Sequence, residues 1–337
     1  MKKDRATTAL VIIAVILGMA VLKVTQAIAV PIILSFFLTF LLYPLIRFFK
    51  RRKASLTLAS VLSLLTVLLG AGVLVTLLMM SLRSLETALP SYTERIQLHL
   101  DSMLGWFAAQ GVSINSDFIQ SSISPGAVAK ILGSWMVSFL SVLSNLLLIF
   151  FMTLFMLLEG ARFEEKAEEA FAEGHELTSA VSGITTQIQR YLGWKTAISF
   201  TTGFLVWLLC ALTGIDFALL WGLLAFLLNY IPSVGSILAS IPPIIITLVQ
   251  FDNPLPYTLG LGAGLLAIQV TMGNIVEPRL MGRSLNLSPL VIFISMIFWG
   301  WMWGAIGMLI SVPLMVSLKV VLVHFEGTRG LAKMLEG

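Results

Sequence analysis

The sequence has little charge, and this scarcity bounds the class of protein. Of its 337 residues, 11% are Asp, Glu, Lys or Arg, whereas 58% are hydrophobic. A soluble domain usually carries about 25% charged residues. The composition therefore predicts a polytopic membrane protein. The formal net charge of +4 is concentrated in short clusters beside hydrophobic runs, which indicates membrane orientation rather than nucleic-acid binding.

The chain is also poor in the residues that carry catalysis. It contains one cysteine, Cys210, so an intramolecular disulfide is excluded, and its apolar neighbours are typical of a thiol that acts as a small hydrophobe. The three histidines lie outside the apolar runs or at their ends. No metal-protease, Walker or dinucleotide-binding pattern occurs in a suitable context. We therefore expect no enzyme, no metal and no cofactor.

Long hydrophobic runs are abundant. A bilayer span needs about 20 apolar residues, and five runs before residue 214 are long enough. They cover residues 8–24, 30–46, 56–80, 135–158 and 195–213. The first run could also be a signal peptide, because Lys2, Lys3 and Arg5 precede it. Retention is favoured because the next apolar run begins at once.

Basic clusters set the expected orientation. Residues 47–53 form the densest cluster, and residues 2–5 form a second one. Basic loops are retained in the cytoplasm, so both clusters and both chain termini are predicted to be cytoplasmic.

The sequence predicts an all-α bundle divided into six stretches. A helical insertion after the third span packs over the bundle or a neighbouring subunit, or acts as a lid over the outer vestibule; Pro90 interrupts its helical pattern. The predicted stretches are 1–81 (three spans), 82–134 (extracytoplasmic helical domain), 135–158 (fourth span), 159–194 (cytoplasmic segment), 195–325 (transport core) and 326–337 (cytoplasmic tail).

Two apolar segments of the core, 217–250 and 288–325, are broken in the same way. Each has a half-length apolar stretch, a glycine-containing interruption and a second stretch with a Ser-hydrophobic-Pro triplet. Broken helices in a bilayer are tolerated where protein or a cavity covers them, and paired breaks point to a transporter binding site. Each segment is either a hairpin or a single kinked span. Placing Arg279 and Arg283 in the cytoplasm favours hairpins.

The breaks and the span between them define a candidate transport path. Asn229, Ser233 and Ser236 could hydrogen-bond a polar solute, or they could satisfy one another across the hairpin. Pro232, Gly235 and Pro242 would free backbone groups beside them. The predicted path also includes Gln269, Asn274, Glu277, Arg279, Gly304 and Pro313.

Glu277 is the main charged candidate, because a carboxylate inside a membrane is costly. It either pairs with Arg279 or Arg283 at the end of a span, or lines the inner mouth of the path; Pro278 is expected to end the helix just after it. Asp216 is expected to be a helix N-cap.

The tryptophans at 299, 301 and 303 either anchor helices at the membrane interface or stack on a sugar-like ring.

Three stretches carry a specific resemblance. They are residues 221–236 (W-G-L-L-A-F running into N-Y-I-P-S-V-G-S), residues 273–283 (G-N-I-V-E-P-R-L-M-G-R), and residues 298–301 with 311–314. They are similar to the autoinducer-2 exporter family of polytopic permeases, and the similarity covers nearly the whole chain. The resemblance implies a homo-oligomer in the bacterial inner membrane that exports a small polar solute such as autoinducer-2.

The resemblance leaves the cargo open, since other members exchange sodium or lithium for protons. A cation/proton antiporter is therefore the alternative, with Glu277 as its titratable group and a proton or sodium as coupling ion. A scaffold whose outer domain binds a partner is a third possibility. Any energy would come from a gradient, because no ATP-binding motif is present.

Overall fold

The structure confirms the all-α fold. A computed structural model describes residues 2–109, 146–170, 175–281, 287–324 and 326–336, and these residues form helices and no strand. We number the helices in chain order: α1 Lys2–Val24, α2 Gln26–Arg51, α3 Leu56–Ala109, α4 Leu146–Ala170, α5 His175–Leu212, α6 Ala218–Leu228, α7 Val234–Gln250, α8 Pro254–Gln269, α9 Glu277–Met281, α10 Pro289–His324 and α11 Arg329–Met334. A π-helical segment, Val270–Val276, joins α8 to α9.

Five of the described helical stretches are long and apolar enough to cross a membrane. They are Gln26–Arg51, Leu56–Ala88, Thr185–Leu212, Pro254–Met281 and Pro289–Val323. Large apolar side chains such as Leu69, Phe155 and Phe200 are exposed on the helices, as expected where lipid rather than water surrounds them. The chain is therefore a polytopic membrane bundle. Part of the predicted fourth span, 135–145, lies outside the described residues.

The first of two compact units comprises Met1–Thr66, Asn145–Trp194 and Met281–Gly337. In it, α2 packs against α4, and α10 packs against α1 and α2. The Ser35 hydroxyl lies 2.7 Å from the carbonyl oxygen of Pro31 and 3.1 Å from that of Ile149. The buried Ser35 hydroxyl thus has a hydrogen-bond acceptor on its own helix and a second acceptor on α4, which links α2 to α4.

The second unit comprises Val67–Ser144 and Lys195–Leu280. Its core is built by one face each of α3, α5, α6, α7 and α8. The buried core residues are Leu78, Leu85, Val206, Cys210, Ile215, Leu220, Trp221, Ala225, Ala239, Leu261 and Leu265. Cys210 is fully buried among hydrophobic side chains, which confirms its interpretation as a small hydrophobe.

Two glycines bring α5 and α6 into close contact in this unit. A Cβ atom added to Gly203 would lie 2.7 Å from the carbonyl oxygen of Gly222, and one added to Gly222 would lie 2.8 Å from the carbonyl oxygen of Gly203. Small residues at such a crossing let two backbones approach, which is how membrane helices gain packing energy. The crossing holds α6, and the segment that begins at Asn229 after it, against α5.

Helix α3 runs beyond the membrane-length stretch without a break. It continues through Pro90 to Ala109, so the prediction that Pro90 interrupts the helical pattern is wrong. Proline removes one backbone hydrogen bond, but Leu85 and Tyr92 on either side of it are buried in packing contacts that hold the helix together. Residues 110–134 lie outside the described residues, and the extracytoplasmic location of this stretch stays a prediction.

Candidate functional site

The first broken segment is a helical hairpin made of α6 and α7. Its two ends meet at Gln250, the last residue of α7. The Gln250 side chain donates to the carbonyl oxygen of Gly214 at 2.8 Å and accepts from the backbone N–H of Asp216 at 2.9 Å. Residues 34 positions apart would not be neighbours in a single kinked span, so the hairpin prediction is confirmed for this segment.

The second broken segment, in the other unit, is also a hairpin. Helix α10 loses helical geometry at Trp303 (φ −130°, ψ 17°) and Gly304 (φ 66°, ψ −146°). The Ser295 hydroxyl then donates to the carbonyl oxygen of Ser311 at 3.2 Å. In a straight helix these residues would be about 24 Å apart, at 1.5 Å of rise per residue. The chain therefore folds back at the glycine.

The tip of the first hairpin contains a strained turn at Ser233. This residue has φ 58° and ψ −53°, and the backbone N–H of Val234 donates to the carbonyl oxygen of Pro232 across it. This combination is a γ-turn of the rare, strained type. Ser233 itself is exposed. Strained backbone of this kind often marks a functional site, because the surrounding structure must hold it in place.

Each tip is closed by a glycine packed against a backbone carbonyl. Gly235 lies against the carbonyl oxygen of Leu228, and Gly307 lies against that of Trp299. A Cβ atom at either glycine would overlap that oxygen and would also lie 3.2 Å from the Cβ atom of the residue four positions earlier. The two breaks therefore share one local construction, as their matched sequence pattern predicts.

The base of the first hairpin is tied to α3. The Tyr92 hydroxyl donates to Asp216 Oδ2, and Arg95 donates to the carbonyl oxygen of Gln250 at 2.9 Å. Asp216 makes no capping hydrogen bond to α6, whose N-cap position is taken by Phe217 in the left-handed region. The prediction that Asp216 caps this helix is wrong, because its carboxylate is oriented toward a residue 124 positions earlier.

We expect Tyr92→Phe to lower the thermal unfolding midpoint in detergent. The ring and its edge-to-face contact with Phe217 remain, but a hydrogen bond to a carboxylate is lost, at a cost of about 1.5–3 kcal/mol. Burial and Asp216 raise the pKa of Tyr92, so the hydroxyl still donates at neutral pH. Its contribution is complete below the unfolded pKa of about 10 and is lost as pH rises toward the folded value. Tyr257→Phe, at an exposed tyrosine, is the control, and an equal midpoint in both variants would contradict the assignment.

Three polar contacts lie within about one helical turn of α5, inside its membrane-length stretch Thr185–Leu212. Lys195 forms an ion pair with Glu277 at 2.6 Å. The Tyr230 hydroxyl donates to Thr196 Oγ1 at 2.9 Å, and the Asn229 side-chain amide donates to Ser199 Oγ at 3.0 Å. The three α5 residues lie within about 6 Å along the helix axis, at 1.5 Å of rise per residue. We call Lys195, Thr196, Ser199, Asn229, Tyr230 and Glu277 the polar cluster.

The Gly203–Gly222 crossing positions this cluster. Ser199 lies one turn before Gly203 on α5, and Asn229 lies two turns after Gly222, just beyond the end of α6. Residues four apart share a helix face. The close approach of α5 and α6 therefore brings the Asn229 side chain within hydrogen-bond distance of Ser199. Asn229 therefore bonds to α5, and not to Ser233 or Ser236 across its own hairpin.

Glu277 has a different partner from the two that the sequence suggests. Its carboxylate binds Lys195, whereas Arg279 is exposed; Arg283 lies outside the described residues. The helix also does not end at Pro278, so that prediction is wrong. Pro278 is the second residue of α9, directly after the π-helical segment, and the first turn of a helix needs no N–H from it. Single π-turns are frequent at functional sites.

The other predicted path residues lie in varied surroundings. Gly235 is buried and Ser233 exposed, while Asn274 and Arg279 are exposed on the span that carries Glu277. Pro232, Ser236, Pro242 and Gln269 are half-buried, and in the other unit Gly304 is exposed and Pro313 buried. Among the predicted residues, the polar cluster brings together Asn229 and Glu277.

Sequence reasoning missed four residues of the cluster: Lys195, Thr196, Ser199 and Tyr230. A usable signal was present, because Lys195 and Ser199 lie one helical turn apart at the start of an apolar span and Thr196 follows Lys195 directly. A lysine at such a position is expected to need a carboxylate partner.

The tryptophans of the second hairpin pack within their own unit. The Trp303 indole N–H donates to the carbonyl oxygen of Leu22 at 3.3 Å, and its ring lies tilted against that of Trp299 with centroids 4.6 Å apart. Lys23 lies over the ring of the exposed Trp301 at 4.4 Å. These contacts fasten the hairpin to α1.

Comparison with known proteins covers nearly the whole chain. A family profile described as "AI-2E family transporter" matches residues 10–327. The AI-2 transport protein TqsA of Escherichia coli K12 is 36% identical over 96% of this chain and 95% of its own length. A protein of Haemophilus influenzae, named provisionally as a transport protein, is 33% identical over 97% of this chain and 95% of its own length. Escherichia coli YhhT, with the same provisional description, is 30% identical over 91% and 86%. The chain therefore belongs to the AI-2E family of multi-pass membrane transporters.

Proposed function

We propose that this transporter exports a small, polar, uncharged solute of the autoinducer-2 class across the bacterial inner membrane. The observation that carries the proposal is the polar cluster, which places an amide and hydroxyls beside the first hairpin. Amide and hydroxyl groups both donate and accept hydrogen bonds, so they can replace the water that a polyhydroxylated solute loses on entry. The relative TqsA is named for AI-2 transport, which supports the choice of solute.

The hairpin tip would supply further groups. The exposed Ser233 follows Asn229 and Tyr230 closely in the chain, and the side chains of Asn229 and Tyr230 donate to hydroxyls of α5. A solute that exchanges these weak bonds between neutral groups for its own would bind without creating an unpaired polar atom. Ser233 and Ser236, on the two sides of Gly235, complete the proposed contact surface.

The cation/proton antiporter is less well supported. That mechanism needs a carboxylate that a cation or proton can reach and leave. Glu277 is the candidate, but its carboxylate is occupied by Lys195 at 2.6 Å. A coupling ion would first have to displace an ammonium that is tethered to the same bundle.

We also propose that the protein is a homo-oligomer with both chain termini in the cytoplasm. Its subunit number is measured by light scattering of the detergent-solubilised protein, and its orientation by labelling of cysteines introduced at residues 4 and 336 in intact cells. Protection of both from an impermeant reagent is the expected result.

We expect Asn229→Ala to lower the initial rate of autoinducer-2 efflux from proteoliposomes about tenfold. The substitution leaves Ser199 without its buried partner and removes an amide from the proposed path. A lost buried hydrogen bond costs about 1–3 kcal/mol, and about 1.4 kcal/mol corresponds to a factor of ten in rate.

The matched control is Asn253→Ala, at an exposed asparagine in the turn before α8, which should retain the rate of the unmodified protein. Sodium-driven proton flux is measured in the same vesicles. Strong proton flux without autoinducer-2 movement would replace the exporter proposal by the antiporter.

A further inference from the structure

We propose that Lys195 and Glu277 act as a charge filter for the transport site. As a pair they cancel each other's charge, so the site accepts neutral polyhydroxylated solutes and rejects inorganic cations and anions. This inference rests on the proposed function and deepens it by assigning the residues that set the charge of the cargo.

The geometry of the pair favours mutual neutralisation. The Lys195 ammonium lies 2.6 Å from Glu277 Oε1, the Lys195 side chain is 4% exposed and that of Glu277 is 25% exposed. A buried ammonium is strongly unfavourable unless a carboxylate compensates it. The partner is also fixed in place, because Lys195 and Glu277 both belong to the second unit. A free cation therefore competes with a charge that never leaves the site.

The other four residues of the polar cluster are neutral. Thr196 and Tyr230 bind each other through hydroxyls, and Ser199 binds the amide of Asn229. Arg279, two residues after Glu277, is exposed. The polar cluster thus consists of one positive and one negative group among hydroxyls and an amide. A site with hydrogen-bonding capacity and no net charge selects against ions, because an ion gives up its hydration shell without gaining a countercharge.

Single substitutions should create the opposite selectivities. Lys195→Met leaves a lone carboxylate, which attracts sodium or lithium. Glu277→Gln leaves a lone ammonium, which attracts anions. The double variant Lys195→Met/Glu277→Gln restores neutrality with side chains of similar length, and such neutral replacements of a buried pair are often tolerated although loss of one partner is not.

The experiment measures ion-dependent stability of the full chain in detergent. Thermal unfolding midpoints are compared at equal ionic strength in sodium chloride, choline chloride and sodium gluconate. We expect the unmodified protein and the double variant to be insensitive to both exchanges. Lys195→Met should be more stable in sodium than in choline, and Glu277→Gln should be more stable in chloride than in gluconate.

Transport is measured on the same four proteins in proteoliposomes. We expect autoinducer-2 efflux to fall at least tenfold in each single variant and to return to within about threefold of the original rate in the double variant. ²²Na⁺ uptake should rise in Lys195→Met alone.

Ion-insensitive single variants, or a double variant as inactive as both singles, would overturn the charge filter. If a single variant does not fold, the charge-reversed pair Lys195→Glu/Glu277→Lys provides the same test, because it must keep neutral-solute efflux. Failure of the unmodified protein to move autoinducer-2 would instead refute the proposed function, and the stability measurements would still decide the filter.

Discussion

Gly235→Ala is expected to abolish autoinducer-2 efflux, with a loss of at least a hundredfold. The added Cβ atom would overlap the carbonyl oxygen of Leu228, which belongs to the backbone and can move only if the end of α6 moves with it. The turn at Ser233 and the hydrogen bond from Asn229 to Ser199 depend on that end. Gly235→Leu should behave in the same way. Initial efflux rates from proteoliposomes provide the measurement.

The control for this substitution is Gly260→Ala in α8, where an added Cβ atom meets open space. Alanine in a helix interior is favoured over glycine by roughly 0.5–1 kcal/mol, so this variant should be at least as stable as the original and equally active. Gly307→Ala, at the matched position of the second hairpin, should share the defect of Gly235→Ala. Normal transport by Gly235→Ala would remove the first hairpin tip from the pathway.

Gly222→Val is expected to have the second largest effect, with transport reduced at least thirtyfold and a lower unfolding midpoint. The valine would be forced against the carbonyl oxygen of Gly203 and the Cβ atom of Trp207, so α5 and α6 must separate. Because Asn229 and Tyr230 directly follow α6 and bind α5, both should lose their partners on α5. The efflux rate and the midpoint are both measured in the same preparation.

Gly262→Val serves as the control for this second substitution, since it adds the same side chain at an open position of α8. If Gly222→Val transports at the control's rate, the close approach of α5 and α6 is not needed for function. If it loses stability but keeps its rate, the crossing serves folding and the polar cluster forms independently of it.

The two hairpins are features that local sequence patterns can predict. Proline, glycine and serine in the middle of an apolar run disrupt a helix by local backbone chemistry, so segments 217–250 and 288–325 could be recognised as broken from their composition. The positive-inside rule places Arg279 and Arg283 in the cytoplasm, and this location favours hairpins over single kinked spans. The structure agrees, and Gln250 and Ser295 show the contacts that close them.

The partner of Glu277 could not be inferred in this way. Arg279 and Arg283 are its neighbours in the chain, so a local argument favours them. Lys195 is 82 positions away, and only the packing of α5 in the second unit brings it within reach. Sequence reasoning also missed the π-helical segment before Glu277, which Pro278 follows as the second residue of α9.

Hydropathy, helix breakers and motifs are properties of adjacent residues, so the amino-acid sequence alone predicts the class of protein, the two broken segments and the family. Which polar groups meet depends on the packing of the helices: Lys195 binds Glu277, Asn229 binds Ser199, and Tyr92 binds Asp216. The Asn229–Ser199 pair, for example, lies beside the crossing of α5 and α6 at Gly203 and Gly222. A crossing is set by the fit of two surfaces far apart in the chain, and no single stretch of sequence contains that information.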